Sequence, residues 1–198
     1  LIVSISDNGS SGYSGFDNFK LEGTYDGDLI YSSGTWSPNA PATSTGADDA
    51  LVQDGTYSTS GDISLNAISV LGDATVEISS TDVLTINNSI FNNGDFIFKS
   101  DANGTAQLAN ATGVTISGNV EVQRFIPAGT NNLRAFRFLS TAVDSNGSIR
   151  DNWQQGGLNP GDPDYESGFG THITGTAETG ANGVDASGSG QPSLLEFD

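Results

Sequence analysis

The sequence contains no cysteine and no methionine in its 198 residues. Disulfide bonds, thiolate metal sites and cysteine nucleophiles are therefore excluded, so packing, hydrogen bonds and bound ions must stabilise the fold. Positive charge is also scarce, because 6 Lys and Arg stand against 24 Asp and Glu and give a formal net charge of −18. That charge repels phosphates and anionic lipids, which argues against binding of nucleic acid or of a membrane surface.

Long apolar runs are missing as well. The apolar run at residues 1–5 is too short for a signal peptide or a membrane-spanning helix, so we expect no membrane insertion. A chain that opens on Leu1 rather than on methionine is interpreted as a piece of a longer polypeptide.

Acidic and amide side chains are abundant, and they favour one kind of cofactor. Carboxylates, amides and backbone carbonyls are the ligands that hard cations prefer, so calcium is the better candidate for a bound ion. The alternative is a hydrated acidic surface that keeps an extracellular protein soluble.

A recurring dipeptide is the most informative feature that is present. A glycine followed by Asp or Asn precedes short runs in which apolar and polar residues alternate, at Gly61-Asp62, Gly72-Asp73, Gly94-Asp95 and Gly118-Asn119. Alternation indicates strands with one buried face. The last three glycines recur at steps of 94 − 72 = 22 and 118 − 94 = 24 residues, and the first step, 72 − 61 = 11, is half of that spacing. Repetition every twenty-odd residues indicates stacked coils. The sequence therefore predicts an all-β protein, a right-handed parallel β-helix (β-solenoid) with flanking β-sandwich-like strands; an up-and-down sandwich is the alternative.

Changes in composition divide the chain into four segments. We expect the terminal strands of a β-sandwich in residues 1–25, a linker in 26–50, β-solenoid coils in 51–126 and a small β cap or subdomain in 127–198. Two asparagine pairs, Asn87-Asn88 and Asn92-Asn93, are predicted to lie at corners of the coils, where Asn tolerates left-handed backbone angles and its side-chain amide hydrogen-bonds to the backbone.

Several segments carry a resemblance to a known family. The succession GNVEVQRFI (118–126), RAFRFLS (134–140), DNWQQ (151–155), GFGTHITG (168–175) and PSLLEF (192–197) resembles a module of very large Bacteroidetes surface proteins. The motifs LTINN (84–88) and FNNGD (91–95) are similar to the solenoid of the same family, and FDNFKLE (16–22) resembles the closing strand of a concanavalin-like sandwich. The resemblance implies export by type IX secretion and a place in adhesion, gliding or surface structure.

Two acidic segments are candidate calcium sites. In DSNGSIRD (144–151), oxygen ligands at Asp144, Asn146 and Asp151 surround a glycine bend, as in calcium loops, although an Asx-rich turn at the start of a helix explains the same pattern. In DPDYE (162–166), the carboxylates of Asp162, Asp164 and Glu166 could bind a cation or serve glycoside hydrolysis, and a solvated turn is the alternative.

Three aromatic residues are candidates for stacking on carbohydrate: Tyr25, Tyr31 and Trp36. For Trp36 the alternative is a structural role at the end of the solenoid core. The sole histidine, His172, alternates with its neighbours as a strand residue does, without a partner motif for nucleophilic catalysis.

Four arginines, Arg124, Arg134, Arg137 and Arg150, lie close together in an otherwise acidic chain. They could hold the carboxylates of a uronate polymer, as a polysaccharide lyase or hydrolase would, or form salt bridges between the cap and the coils.

These features together predict a non-enzymatic structural or adhesive segment of an extracellular bacterial protein. It would be a spacer or filament-forming β-solenoid whose partners are cell-surface polysaccharide or other copies of itself. A carbohydrate-binding module is the alternative, and a polysaccharide lyase or hydrolase is the third hypothesis.

Overall fold

The described part of the chain comprises residues 29–109, 111–127, 139–145, 147–153, 173–176, 178, 185–186 and 188–195 of a computed structural model. The chain divides into two compact units, 1–128 and 129–198. This division lies close to the change in composition at residue 127. The predicted sandwich strands in 1–25 lie outside the described residues.

Two sheets of mainly parallel strands form the first unit. The larger sheet contains β1 (Leu29–Ser32), β2 (Thr35–Ser37), β3 (Asp49–Val52), β5 (Ile63–Val70), β7 (Val83–Asn92), β11 (Gln107–Leu108) and β12 (Thr115–Ser117). The smaller sheet contains β4 (Gly55–Ser58), β6 (Ala74–Ile78), β8 (Asp95–Phe98) and β13 (Glu121–Val122). A short antiparallel pair, β9 (Ser100–Asp101) and β10 (Gly104–Thr105), follows β8.

The pairing confirms the prediction of a parallel β-solenoid. Strands that are one coil apart in sequence are neighbours, as in Ile63 with Leu84 of β7 and Val76 with Phe96 of β8. The smaller sheet has four rungs, so the described strands make about four coils. Inward residues from successive coils lie in columns, and adjacent strands are about 4.8 Å apart.

Alternation in the sequence correctly marks the core. Eleven apolar residues of the alternating runs are buried: Ile63, Leu65, Ile68, Val70, Val76, Ile78, Leu84, Ile86, Ile90, Phe96 and Phe98. The apolar residues of the alternating runs in the last coil are more exposed, and Ile116 reaches 44%; they are Val114, Ile116, Val120 and Val122.

Part of the predicted linker belongs to the solenoid. Strands β1 and β2 and the start of β3 lie within residues 26–50, and β1 pairs with β3 in parallel. The connection from β2 to β3 includes a short 3-10 helix, η1 (Pro41–Thr43). The part of this connection that follows η1 is hydrogen-bonded to the sheet. The Asn66 backbone N–H donates to the Asp48 carbonyl (2.8 Å), and Asn87 Nδ2 donates to the Gly46 carbonyl (2.7 Å).

The asparagine pairs do not adopt the predicted left-handed angles. Among the described residues, the non-glycine residue with positive φ is Ser33. Asn87 and Asn88 lie at a register shift, since Ile86 pairs with Leu65 and Ser89 with Ala67, so that two residues of β7 face one of β5. This is the geometry of a β-bulge, which bends the strand without a left-handed residue.

Two glycines are required by close packing between coils. A Cβ at Gly94 would collide with the backbone carbonyls of Leu71 and Ala74 in the coil below. At Gly118, where φ is +94°, a Cβ would collide with the carbonyl of Asn92. The recurring Gly-Asp and Gly-Asn dipeptides therefore mark, at these two positions, turns that stack in contact on the preceding coil.

The described part of the second unit has little regular structure. A short helix, α1 (Ile149–Trp153), begins within the segment 144–151, and Thr174 forms an isolated parallel bridge with Asp185.

Candidate functional site

An aromatic cluster lies at the N-terminal edges of the two sheets, where β1, β2 and β4 begin the stack. Tyr31, Trp36 and Tyr57 contact one another and will be called the aromatic cap. Ring centroids are 5.2 Å apart for Tyr31 and Trp36, 5.4 Å for Tyr31 and Tyr57, and 4.8 Å for Trp36 and Tyr57. Trp36 and Tyr57 pack against the buried core, to which Tyr31 itself belongs, so the cluster covers the N-terminal end of the inward columns.

A tight hairpin places Trp36 opposite Tyr31. Ser33 and Gly34 have φ of 52° and 80°, and positive φ at both central residues is the mark of a type I′ turn. The Asp54 carboxylate holds this turn by accepting from the Ser33 backbone N–H (2.7 Å) and from Ser32 Oγ (2.8 Å). These two hydrogen bonds, with the backbone one the larger, hold the pKa of Asp54 below its ordinary value.

The polar atoms of the aromatic cap differ in their hydrogen bonds. Tyr31 Oη donates to the Thr56 carbonyl (2.7 Å). Burial, together with smaller contributions from the charges of Asp82 and Tyr31, raises the pKa of Tyr57 to about 12. Trp36 Nε1 is buried without a hydrogen-bond acceptor among the described residues. Its ring stands edge-to-face with Tyr57 at an interplanar angle of 89°, an arrangement that brings the edge of one ring to the π-face of the other.

This geometry corrects the interpretation of Tyr31 as a carbohydrate platform. Tyr31 is only 8% exposed and its ring packs on two other rings, so its face is not open to a sugar. Trp36 packs on the core, as the structural alternative for this residue requires. Tyr25, the third predicted stacking residue, lies outside the described residues.

A cavity of about 500 Å³ lies at the same end of the first unit and is open to solvent. Its walls comprise Leu29 of β1, Asp48 before β3, and residues of the connection from β2 to β3: Pro38, Asn39 and Thr43. The described wall contains one carboxylate and two neutral polar side chains, which can hydrogen-bond a small polar molecule but do not form an acid and base pair.

A buried carboxylate links two coils at another corner. Asp82 is 7% exposed, and its Oδ2 accepts from Thr59 Oγ1 (2.6 Å) and from the Gly61 backbone N–H (2.8 Å). The Thr59 hydroxyl oxygen also accepts from the Ser79 backbone N–H (2.9 Å). Because these hydrogen bonds compensate the carboxylate for lost water, Asp82 stabilises the stacking of coils.

Among the predicted calcium residues, the structure describes Asp144 and the backbone of Asp151. Asp144 is exposed, Asp151 belongs to α1, and Asn146 lies outside the described residues, as do Asp162, Asp164 and Glu166. Within the described ranges, no group of three or more His, Asp or Glu side chains could hold a metal ion.

The arginine cluster is described at only part of its positions. Arg124 is exposed, and its Nη1 donates to the Gln123 carbonyl (3.4 Å). Arg150 belongs to α1, whereas Arg134, Arg137 and His172 lie outside the described residues. Neither the lyase hypothesis nor the salt-bridge alternative is tested by these positions.

Sequence reasoning missed three residues that the structure makes prominent, Tyr57, Asp82 and Phe91, and it did not predict that Asn92 is buried. Asn92 is buried in the column of Val70 and donates to the carbonyls of Gly94 (3.1 Å) and Asn119 (2.5 Å). For Asn92, the available signal in the sequence was its position in the alternation, which places a polar residue where an inward one is expected. Phe91, an aromatic residue at an outward position of the alternation, carried the corresponding signal for an exposed ring.

Comparisons with known proteins found no match to a protein-family model, to a curated protein or to a solved structure. In the part of the chain that the structure describes, no helix is both long enough and apolar enough to cross a membrane.

Proposed function

We propose that this chain is a structural segment of an extracellular bacterial surface protein, a β-solenoid that spaces and presents other parts of a longer polypeptide. The observation that carries the proposal is the continuous parallel ladder from β1 to β12 in the larger sheet, matched by the ladder from β4 to β13 in the smaller one. Such stacking distributes load over many hydrogen bonds, and the buried columns exclude water from them.

Side-chain contacts between coils add support. The Asp82 corner joins the coil of Thr59 to its own, and the Lys99 ammonium lies 3.2 Å from the Glu77 carboxylate of the preceding coil. Asn92 likewise binds the carbonyl of Asn119 in the following coil. Each contact ties a coil to its neighbour, which is the property that a spacer needs.

Single-molecule pulling on the full chain between its termini tests this role. Extended chain spans about 3.3–3.6 Å per residue, so the release of one coil of about 21 residues should lengthen the chain by about 70–75 Å. We expect resistance followed by lengthening in multiples of that step. Smooth extension without a measurable force would contradict a load-bearing role.

The extracellular location rests on the acidity, the absence of cysteine and the resemblance to surface proteins exported by type IX secretion. Antibodies raised against this chain should label intact cells of the source organism. Labelling only after the cells are broken open would contradict a surface location.

Self-association into filaments is a further part of the proposal, because strands at the ends of a stack can pair with another copy. Light scattering across protein concentration, with calcium and with a chelator, tests both filament growth and the calcium hypothesis. A monomer at every concentration would contradict the filament hypothesis. Identical scattering in calcium and in chelator would contradict the hypothesis that calcium drives association.

A further inference from the structure

The outer surface of the larger sheet carries an uncharged patch around one exposed aromatic ring. Its six outward positions form a grid of two columns, which we call the Phe91 face: Ala67, Ser89 and Thr115 in one column and Ser69, Phe91 and Ser117 in the other. Ile68 and Ile90, which lie between the two columns in β5 and β7, are buried, so alternation points the side chains of Ala67, Ser69, Ser89 and Phe91 outward. Thr115 and Ser117 pair in parallel register with Ser89 and Phe91 and therefore lie on the same side of the sheet. None of the six is charged, although the chain as a whole has a net charge of −18.

The Phe91 face is regular. The bulge between β5 and β7 lies before Ala67, and the pairs from Ala67 and Ser89 onward keep their register through Val70 and Asn92. Side chains are therefore spaced about 4.8 Å apart across the strands and about 6.6 Å apart along them. Within the described part of the chain, the hydroxyl groups of Ser69, Ser89, Thr115 and Ser117 make no hydrogen bond.

Phe91 is unusual on this surface because it is 45% exposed, and Leu71 at the margin of the face is 40% exposed. The exposed ring of Phe91 does not contribute to the core. In this part of β7, the inward side chains are those of its two buried neighbours, Ile90 and Asn92. One aromatic ring surrounded by free hydroxyls matches the two kinds of group that a sugar presents, C–H faces and hydroxyl edges. The C–H groups of a pyranose ring can lie on the π-face, and the serine and threonine hydroxyls can donate to and accept from sugar hydroxyls.

We propose that the Phe91 face binds a neutral, extended polysaccharide, with Phe91 as the stacking ring. A neutral polymer fits because the face carries no charge, while the field of an acidic protein would repel a uronate polymer. An extended ribbon of β-linked glucose matches the regular register of this face better than a helical chain does.

A second copy of this chain fits the face less well. A stable protein interface buries about 800 Å² on each partner. Phe91 and Leu71, the two large apolar side chains exposed here, provide only a small part of such an interface. Along the ladder, the nearest charged side chain to the face is that of Asp49, which pairs with Ala67. The Asp49 Oδ1 atom already accepts a hydrogen bond from Asn66 Nδ2 (2.7 Å).

The experiment measures retention of the full chain on microcrystalline cellulose, with starch granules and immobilised polygalacturonate as the helical and acidic counterparts. The variant is Phe91→Ala, and the matched control is Phe125→Ala, because Phe125 is 48% exposed at a position outside the face. Phe91→Tyr keeps a stacking ring and serves as the rescue variant. Thermal unfolding of each variant establishes that the fold is intact.

We expect the wild type, Phe125→Ala and Phe91→Tyr to be retained on cellulose, and Phe91→Ala to bind about ten-fold more weakly. Retention should persist at high salt, because stacking on a neutral polymer involves no ion pairs. The proposal is overturned if the wild type is not retained, if the two alanine variants bind equally, or if retention on polygalacturonate exceeds that on cellulose. Light scattering in which Phe91→Ala dissolves a dimer would assign the face to self-association instead. Binding of polysaccharide is a property beyond the spacer role. The pulling experiment tests the spacer role separately, so a failure to bind cellulose would not contradict it.

Discussion

The two ends of one inward column differ in how well they are covered. The column runs from Leu29 through Ala50, Ile68 and Ile90 to Ile116, in pairs that are one coil apart. Leu29 at its first position is 3% exposed, whereas Ile116 at its last position is 44% exposed. The aromatic cap lies at the first end of the core, and the described residues of the last coil leave the other end partly open.

This difference shows that a solenoid is stabilised unequally along its axis. Each inward residue in the middle has neighbours in the coils above and below, so it loses nearly all contact with water. A residue at an end lacks one of these neighbours unless side chains from another element replace it. Tyr31, Trp36 and Tyr57 provide that replacement at the N-terminal end.

The largest expected effect comes from truncating two isoleucines of the same column. Ile90→Ala removes a side chain that is 1% exposed, and such substitutions cost about 2–5 kcal/mol of the free energy of unfolding. Ile116→Ala removes the same atoms from a half-exposed position and should cost less than half as much. Urea unfolding followed by circular dichroism measures both, and equal losses would contradict the difference between the ends.

Removal of the buried carboxylate at the Asp82 corner should have the next largest effect. Asp82→Asn deprives Thr59 and Gly61 of a charged acceptor, so we expect a loss of about 1.5–3 kcal/mol. Asp73 is exposed, and Asp73→Asn should change the free energy of unfolding by less than about 0.5 kcal/mol. A similar result for both variants in urea unfolding would show that the corner does not tie the coils together.

Removal of Trp36 from the aromatic cap should have an effect of intermediate size. Trp36→Ala uncovers Tyr31 and Tyr57, and because Trp36 is only partly buried we expect a loss of about 2 kcal/mol, less than for a fully buried ring. The change should also make Leu29 and Tyr31 amides exchange faster, as at an uncovered end. If Trp36→Ala leaves exchange in β1 unchanged, the cap does not protect the N-terminal end.

Substitutions at two glycines of the last coil distinguish the cost of a steric collision from the cost of a left-handed backbone angle. Gly113 and Gly118 have φ of +84° and +94°, but a Cβ at Gly113 would have open space, whereas one at Gly118 would collide with the Asn92 carbonyl. Gly113→Ala should cost about 1 kcal/mol for its left-handed angle alone, and Gly118→Ala should cost more. Equal melting temperatures for the two variants would mean that the last coil does not stack closely on the coil of Asn92.

The smallest expected effect is electrostatic. Burial opposes the charge of Glu77, but hydrogen bonds from Ser58 and Lys99 outweigh it and hold the pKa of Glu77 below its ordinary value of 4.5. Its contribution is therefore present above pH 4.5 and lost as the pH falls through the lower pKa of the folded state. Because the pair is partly exposed, we expect less than about 1 kcal/mol.

Urea unfolding of the wild type and Glu77→Gln between pH 7 and pH 2 measures this contribution. The difference between the two proteins should be constant at neutral pH and vanish in acid. A difference that grows as the pH falls would reverse the assigned sign.

The sequence is most informative where period and burial coincide. Alternation over 63–70 and 83–92 identifies the inward residues, because a strand with one buried face must repeat every second residue. The same logic does not extend to residues 29–52, where the prolines at 38 and 41 make a solenoid coil look like a linker. Only the parallel pairing of β1 with β3 assigns that segment to the stack.

Candidate sites are less predictable than the fold, because a side chain's role depends on partners far away in sequence. Asp82 looks like any other of the 24 acidic residues until Thr59 and Gly61 are placed beside it. Tyr31 looks like a surface aromatic until Trp36 and Tyr57 cover its ring. Alternation places Phe91 on the outside, but only the stacking of three coils assembles the uncharged grid around it.

Amide hydrogen exchange, followed by mass spectrometry across residues 29–127, tests the central claim most directly. The solenoid predicts slow exchange in β5, β6, β7 and β8, nearly as slow exchange in β1 beneath the aromatic cap, and faster exchange in β12 and β13 of the last coil. Uniform protection along the axis, or fastest exchange in the middle coils, would contradict a stack that is covered at its N-terminal end and partly open at the other.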